Sequence, residues 1–195
     1  MPIKFFSGVN KFSFIFQAGA FQPFYRAHSH IDTKRREPWL MGQTTTDLIR
    51  AAIRKRYSYL PFWYTLFYEQ EMFSNLVMRP LWTEFPTEEA TFTIDDEYLL
   101  GKSILVHPVT DQGATSVQVY FPGVNEIWYD ADTYEKRTEK GNVKIQVDME
   151  KIPVYIRGGS IIPKKERIRR ASVLMKDDPY TLIVALDANV SKIYF

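Results

Sequence analysis

Cysteine is absent from the 195 residues, which excludes disulfides and thiolate metal sites and removes the usual sign of redox compartment. Histidine is scarce, with only His28, His30 and His107. No run approaches the roughly 18 apolar residues that a membrane-spanning helix needs, so no membrane span is expected. The net charge is only +2, too little to draw a nucleic acid or a membrane surface, and neither is expected as a partner. Internal repeats and low-complexity tracts are missing. The first twenty residues, MPIKFFSGVNKFSFIFQAGA, look only faintly like a targeting segment. Asn10 and Lys11 interrupt the apolar run and Lys4 is the only leading charge, so no working signal peptide is expected.

What is present is an ordinary globular composition, 45% hydrophobic and 25% charged. The aromatic share, 15%, is high. A large core explains it, and so do ring faces packed on sugars; composition leaves both open.

Two periods divide the chain. Residues 43–73 carry helical spacing, with Leu48, Ile49, Ala52, Ile53 and Leu60 on one side and Arg50, Arg54 and Lys55 on the other. Thr44, Thr45 and Thr46 before Asp47 mark the N-terminal end. Pro61 predicts a break near Leu60 and a second helix from Pro61 to Phe73. That helix, PFWYTLFYEQEMF, is apolar around most of its circumference and is expected to be buried on more than one side.

After Asn75 the chain reads as short strands at 76–82, 99–108, 116–121, 126–129, 143–149, 154–157, 160–163 and 180–186. Val143, Ile145, Val147 and Met149 alternate with Lys144, Gln146 and Asp148. Gly158-Gly159 reads as a hairpin between its flanking strands. The fold class is therefore α+β, helical to about Trp82 and an antiparallel sandwich beyond it.

FQPFYRAHSH is the densest cluster of functional groups. In an extended segment Arg26, His28 and His30 share one face. They could donate to sugar hydroxyls or to carboxylates, or they could be a structural arginine and a satisfied histidine. His28, His30 and Asp32 also alternate as a metal-ligand set would. Zinc wants further ligands and His107 is distant in sequence, so no metal and no cofactor is expected. Elsewhere, KKERIRR (164–170) reads as a solvated basic face or a weak polyanion patch. Trp128, Tyr129 and Tyr134 read as core, or as an exposed platform on a non-catalytic sugar-binding or subunit-docking module.

Longer strings are specific. QAGAFQPFYRAHSH, DTKRREPW, RYSYLPFWYTLFYE, VMRPLWTEFP, DDEYLLGKSILVHPV, EIWYD, IPVYIRGGSIIP and MKDDPYTLIVAL resemble, in order and spacing, family 31 glycoside hydrolases. The likeness runs from about Gln17 to Leu186 and is closest to members that trim glucose from N-glycans. It implies the end of a (β/α)8 barrel in residues 1–82, with two helices and isolated strands. A proximal β-sandwich, truncated at its end, would fill 83–195. It further implies an α-glucoside or glucosylated N-glycan as ligand, a non-catalytic β subunit as partner and the endoplasmic reticulum lumen as address. By the same resemblance His28 hydrogen-bonds hydroxyls of the bound glucose, and Arg26 orders the carboxylate-rich floor of that site.

The resemblance also says what these residues do not carry. Retaining glycosidases need two carboxyl groups about 5–5.5 Å apart, and in this family both are aspartates upstream of the matching segment. No W-x-D-M-N-E string occurs, and residues 1–16 depart from the family pattern. Asp32, Glu37, Asp47, Asp95 and Asp96 are present, but Asp95-Asp96-Glu97 reads as a solvated turn. No residue is assigned a catalytic role, and these 195 residues alone are expected to be inactive.

Overall fold

The computed structural model describes residues 9–111 and 113–189. Three helices come first: α1 (Val9–Ala20), α2 (Gln43–Ser58) and α3 (Leu60–Phe73). The helical spacing in the sequence located α2 and α3 to within about a residue. Leu48, Ile49 and Ala52 form the buried stripe of α2. Its entry is made by Gly42 at φ 83, not by a capping threonine; Thr46 donates its hydroxyl back to the Gly42 and Pro38 carbonyls. Tyr59 separates the two helices, and Pro61, which has no N–H to leave unpaired, sits in the first turn of α3.

The expectation that α3 is buried on more than one side is corrected. Phe62, Trp63 and Leu66 are buried, whereas Tyr64 is 80% and Phe73 65% exposed. One face of α3 is seated, and among the described residues nothing covers the other.

Among the described residues ten strands follow: β1 (Met78–Arg79), β2 (Tyr98–Leu100), β3 (Ile104–Val106), β4 (Ser116–Phe121), β5 (Trp128–Asp130), β6 (Lys136–Arg137), β7 (Gly141–Gln146), β8 (Val154–Arg157), β9 (Ser160–Lys164) and β10 (Thr181–Ala185). All pairings are antiparallel. Six strands make the central sheet in the order β1-β2-β3-β8-β5-β6, while β4-β7 and β9-β10 form two ribbons.

Two sequence expectations fail here for identifiable reasons. Residues 99–108 are not one strand: the chain reverses at Gly101-Lys102-Ser103, and Leu99 pairs with Leu105. Each half is buried on both faces and reads as a short apolar run, and Gly101-Lys102-Ser103 is the turn signal between them. Gly158-Gly159 does not close a hairpin, because β8 pairs with β3 and β5 while β9 pairs with β10. The two glycines make a corner between sheets instead. The Gly158 N–H donates to Ile127 O (2.7 Å) and the Gly159 N–H to Ala185 O (2.8 Å). A Cβ on Gly158 would lie 2.8 Å from Leu186 O, too close for any side chain.

The central sheet is the middle layer. Tyr98, Leu100, Ile104, Val106, Val154 and Ile156 join Phe21, Tyr59, Phe62, Trp63 and Leu66 in one core cluster. Leu99, Leu105, Tyr155 and Trp128 join Val119, Phe121 and Ile145 of the β4-β7 ribbon, and Val147 just past it, in a second. Alternate residues of β2 and β3 thus serve different cores, as the pleat requires. The first core is filled from both sides of Trp82, and β1, which precedes Trp82, pairs with β2. Lys55 adds an ion pair to Asp132 at 2.5 Å across the same seam.

Candidate functional site

The site expected at Arg26 and His28 lies just past the end of α1, on a segment whose base is held and whose tip is exposed. At the base Phe21 is fully buried, edge-on to Tyr59 with ring centroids 5.4 Å apart. The Tyr98 hydroxyl, from β2, donates to Phe21 O at 2.8 Å. Arg56, in the last turn of α2, points its guanidinium at the same stretch. Its Nη1 donates to the carbonyls of Gly19 (3.4 Å), Ala20 (3.0 Å) and Gln22 (2.7 Å), and Nη2 to that of Pro23 (3.3 Å). The guanidinium lies 5.0 Å from the Tyr25 ring centroid and 4.9 Å from that of Trp63. Burial lowers the Arg56 pKa, but an arginine remains charged in any folded protein. Tyr25 packs edge-on against Phe16 at 6.0 Å and over Gly19, where a Cβ would come within 2.9 Å of its ring. Burial also raises the Tyr25 pKa, so its phenol stays neutral.

Beyond Tyr25 the chain is exposed and carries no regular strand over 22–30. Of the expected trio Arg26, His28 and His30, His30 bonds elsewhere, and the segment is not hydrogen-bonded into a sheet. A strand needs a neighbour for its N–H and C=O groups, and no described residue pairs with this one. Arg26 and His28 nevertheless meet: Arg26 Nη2 is 3.3 Å from His28 Nδ1. A guanidinium can only donate, so Nδ1 accepts and the proton of the neutral imidazole belongs on Nε2. That leaves Nε2–H as a donor on the exposed ring. Arg36 donates to the His28 carbonyl at 3.3 Å, fixing the backbone behind it. His30 is drawn away into its own turn. Its Nδ1 lies 3.2 Å from Asp32 Oδ2, and Thr33 donates its hydroxyl to His30 O at 2.5 Å.

Two carboxylates near this segment, Glu37 and Asp47, are shifted away from acid catalysis. Glu37 pairs with Arg35 at 2.8 Å, and the hydrogen bond from that side chain holds its pKa below the ordinary value. Asp47 is likewise lowered, chiefly by a hydrogen bond from Gln43. The carboxyl that burial raises is Glu97, in the sandwich, where it accepts the Tyr120 N–H at 3.1 Å. His107 Nδ1 stands 3.5 Å from Glu97 Oε2, an ion-pair distance and not a hydrogen bond. The reading of Asp95-Asp96-Glu97 as a solvated turn therefore holds for the two aspartates and fails for Glu97, which is buried. Among the described residues no three His, Asp or Glu side chains gather as a metal site would.

The other sequence candidates resolve into structure. Trp128 has no exposed surface and donates its indole N–H to Pro122 O at 3.2 Å, so it offers no platform. Tyr129 is half-buried and donates to Leu186 O at 2.9 Å; of the three only Tyr134 is exposed. The solvated-face reading of KKERIRR holds for residues 166–170, which are exposed, and fails for Lys164 and Lys165, which are buried. Lys165 donates to the carbonyls of Met175 (2.7 Å) and Lys176 (2.9 Å), and Arg169 grips Asp178 through both carboxylate oxygens.

Arg56 was missed in the sequence, although a signal was there. It follows Ile49, Ala52 and Ile53 at helical spacing, so a charge falls on the buried stripe and must find partners.

The segment can thus present a donor imidazole and a guanidinium to a hydroxyl-rich ligand, on a base that does not move freely. Comparison with known proteins agrees with a carbohydrate setting. The glycosyl hydrolases family 31 TIM-barrel domain model matches residues 14–66, and the glycosyl hydrolase family 31 C-terminal domain model matches residues 74–162. Neutral alpha-glucosidase AB of Dictyostelium discoideum is 56% identical over 178 residues, 90% of this chain and 19% of that protein. The Homo sapiens protein of the same name is 54% identical over 171 residues, 88% of this chain and 18% of its own length. Among solved structures, the Tris-bound glucosidase II alpha subunit superposes with a TM-score of 0.87 at 40% identity, over 92% of this chain and 20% of that one. The ER glucosidase II heterodimeric complex of catalytic subunit and regulatory-subunit binding domain gives 0.88 at 40% identity, again over 92% and 20%. The chain spans about a fifth of the length of these relatives.

Proposed function

The chain belongs to glycosyl hydrolase family 31, and from that premise we propose that its residues supply the glucose-recognising edge of an α-glucosidase site together with the β-domain that supports it. The observation that carries this reading is the exposed Arg26–His28 pair, 3.3 Å apart, with its tautomer set to offer Nε2–H outward. His28 donates to a hydroxyl of a terminal α-linked glucose, and Arg26 holds the ring and adds its own donors. The reaction of the complete site is retaining hydrolysis of the O-glycosidic bond, with N-glycan trimming as its setting. A non-catalytic subunit as partner, the endoplasmic reticulum lumen as address and a division between barrel and sandwich after Trp82 belong to the same proposal. Glu37 and Asp47 are held ionised by hydrogen bonds from Arg35 and Gln43, so neither serves as the proton donor. By itself the chain binds and does not cleave.

Two measurements test this. The purified chain is expected to give no turnover of 4-nitrophenyl α-glucoside; turnover that His28→Ala abolishes overturns the division between binding and cleavage. Titration with methyl α-D-glucopyranoside is expected to move the His28 ring signals in NMR spectra, and unmoved signals at saturating sugar overturn the binding role.

A further inference from the structure

The contacts of Arg56 reach further than stability. Its guanidinium donates to four carbonyls within the five residues immediately before the loop, those of Gly19, Ala20, Gln22 and Pro23. Tyr25, one residue before Arg26, and Trp63 of α3 both lie near it, with ring centroids 5.0 and 4.9 Å away. Trp63 belongs to the core shared by the helices and the central sheet, so the guanidinium couples the loop to that core. Tyr98 adds a second tie from that sheet, at Phe21 O.

We infer that Arg56 is the positioning residue for Arg26 and His28: its planar fork sets where the backbone leaves α1 and therefore where the imidazole presents its donor. The inference rests on the reading of His28 as a glucose contact. Chemistry favours arginine over lysine in this place. A flat guanidinium can donate to several carbonyls while it lies against aromatic rings, whereas an ammonium is a compact, strongly hydrated point charge that satisfies fewer acceptors and stacks poorly. A carbonyl left without its donor in this half-buried setting seeks water, and the segment shifts to let water in.

The test compares Arg56→Lys with two other variants of the whole chain. Leu48→Ala truncates a buried side chain on the same helix and removes none of the Arg56 contacts. It controls for lost stability alone. Gly19→Ala drives a methyl group into the Tyr25 ring at 2.9 Å and disturbs the clamp without touching Arg56, which keeps the test alive should Arg56→Lys fail to fold. The readouts are the backbone amide signals of residues 20–28, the His28 ring signals, and the affinity for methyl α-D-glucopyranoside. Arg56→Lys and Gly19→Ala are expected to displace the amide and ring signals and to weaken sugar binding by about tenfold or more. Leu48→Ala is expected to leave both as in the parent chain. Unmoved amides and unchanged sugar affinity in Arg56→Lys overturn the inference while the reading of His28 stands. If the parent chain shows no sugar response, that reading falls instead. The amides of 20–28 in Arg56→Lys then decide the inference alone, displaced in its favour or unmoved against it.

Discussion

Gly101 joins β2 to β3 at the point where α3 rests on the central sheet, and replacing it with alanine probes that seat directly. The glycine has φ 53, and its N–H donates to Val77 O at 2.8 Å. A Cβ built there would stand 2.6 Å from Leu66 Cδ2, against an optimum of about 3.5–4.0 Å between carbon atoms. Two costs add. The left-handed backbone costs an alanine about 1–2 kcal/mol. Moving Leu66 aside in a closed core costs about 1–3 kcal/mol more. Gly101→Ala is thus expected to destabilise the chain by about 2–5 kcal/mol. Gly141→Ala is the reference for the backbone part, since Gly141 has φ 66 and its Cβ would meet nothing nearer than Tyr120 Cε2 at 3.9 Å. It should cost only about 1–2 kcal/mol. Leu66→Ala is itself damaging, by about 2–5 kcal/mol, but it removes the obstructing methyl groups. In that background Gly101→Ala should cost no more than Gly141→Ala, a coupling of about 1–3 kcal/mol between adjoining residues. Equilibrium urea unfolding with slopes checked for constancy measures all four variants. Equal costs for Gly101→Ala and Gly141→Ala, or simple additivity with Leu66→Ala, would refute the seating of α3 on the β2–β3 turn.

Three further outcomes follow from the same physics. Burial holds the folded Glu97 pKa above its ordinary 4.5, with His107 and the Tyr120 N–H opposing and Asp96 adding to the rise, so the native state keeps the proton to higher pH than the unfolded chain does. This contribution to stability is complete below about pH 4.5 and lost as pH rises through the folded pKa. Glu97→Gln should therefore gain stability relative to the parent as pH rises from 4.5 to 8, and the opposite slope in urea titrations refutes the assignment. Tyr98→Phe removes the hydrogen bond to Phe21 O and leaves a buried carbonyl unpaired, at a cost of about 1–3 kcal/mol; an unchanged urea midpoint would show that the bond is not made. Residues 83–195 produced without the helices should bind 8-anilinonaphthalene-1-sulfonate strongly, because Tyr98, Leu100, Ile104, Val154 and Ile156 lose their cover. A non-binding, sharply melting fragment would show that the sandwich closes its own core.

Much of the frame was legible along the chain. Helical spacing and Pro61 placed α2 and α3, and the alternation from Val143 to Met149 appears as alternate burial along β7 and its extension. At Gly101 two apolar runs, each covered on both faces, flank Gly-Lys-Ser, and only the pairing of β2 with β3 shows that the chain reverses there. Gly158-Gly159 has the same composition as a hairpin turn, and only the partners of β8 and β9 distinguish a corner from a hairpin. At the site, the family resemblance pointed to Arg26 and His28 by their place in a string. It carried no word of the loop conformation that sets His30 apart from them.

What the sequence determined by itself was therefore local or compositional: the order and type of α2 and α3 but not α1, the absence of thiol chemistry and the family strings. Tertiary structure decided which charges are interior. Arg56 meets carbonyls 33–37 residues away, Glu97 meets a backbone N–H 23 residues on, and Lys165 turns inward to carbonyls 10 and 11 residues ahead. The reason is physical. Periodicity reports which side of an element is apolar, but a buried charge is tolerable only where distant parts of the chain bring acceptors to it, and that depends on the packing as a whole.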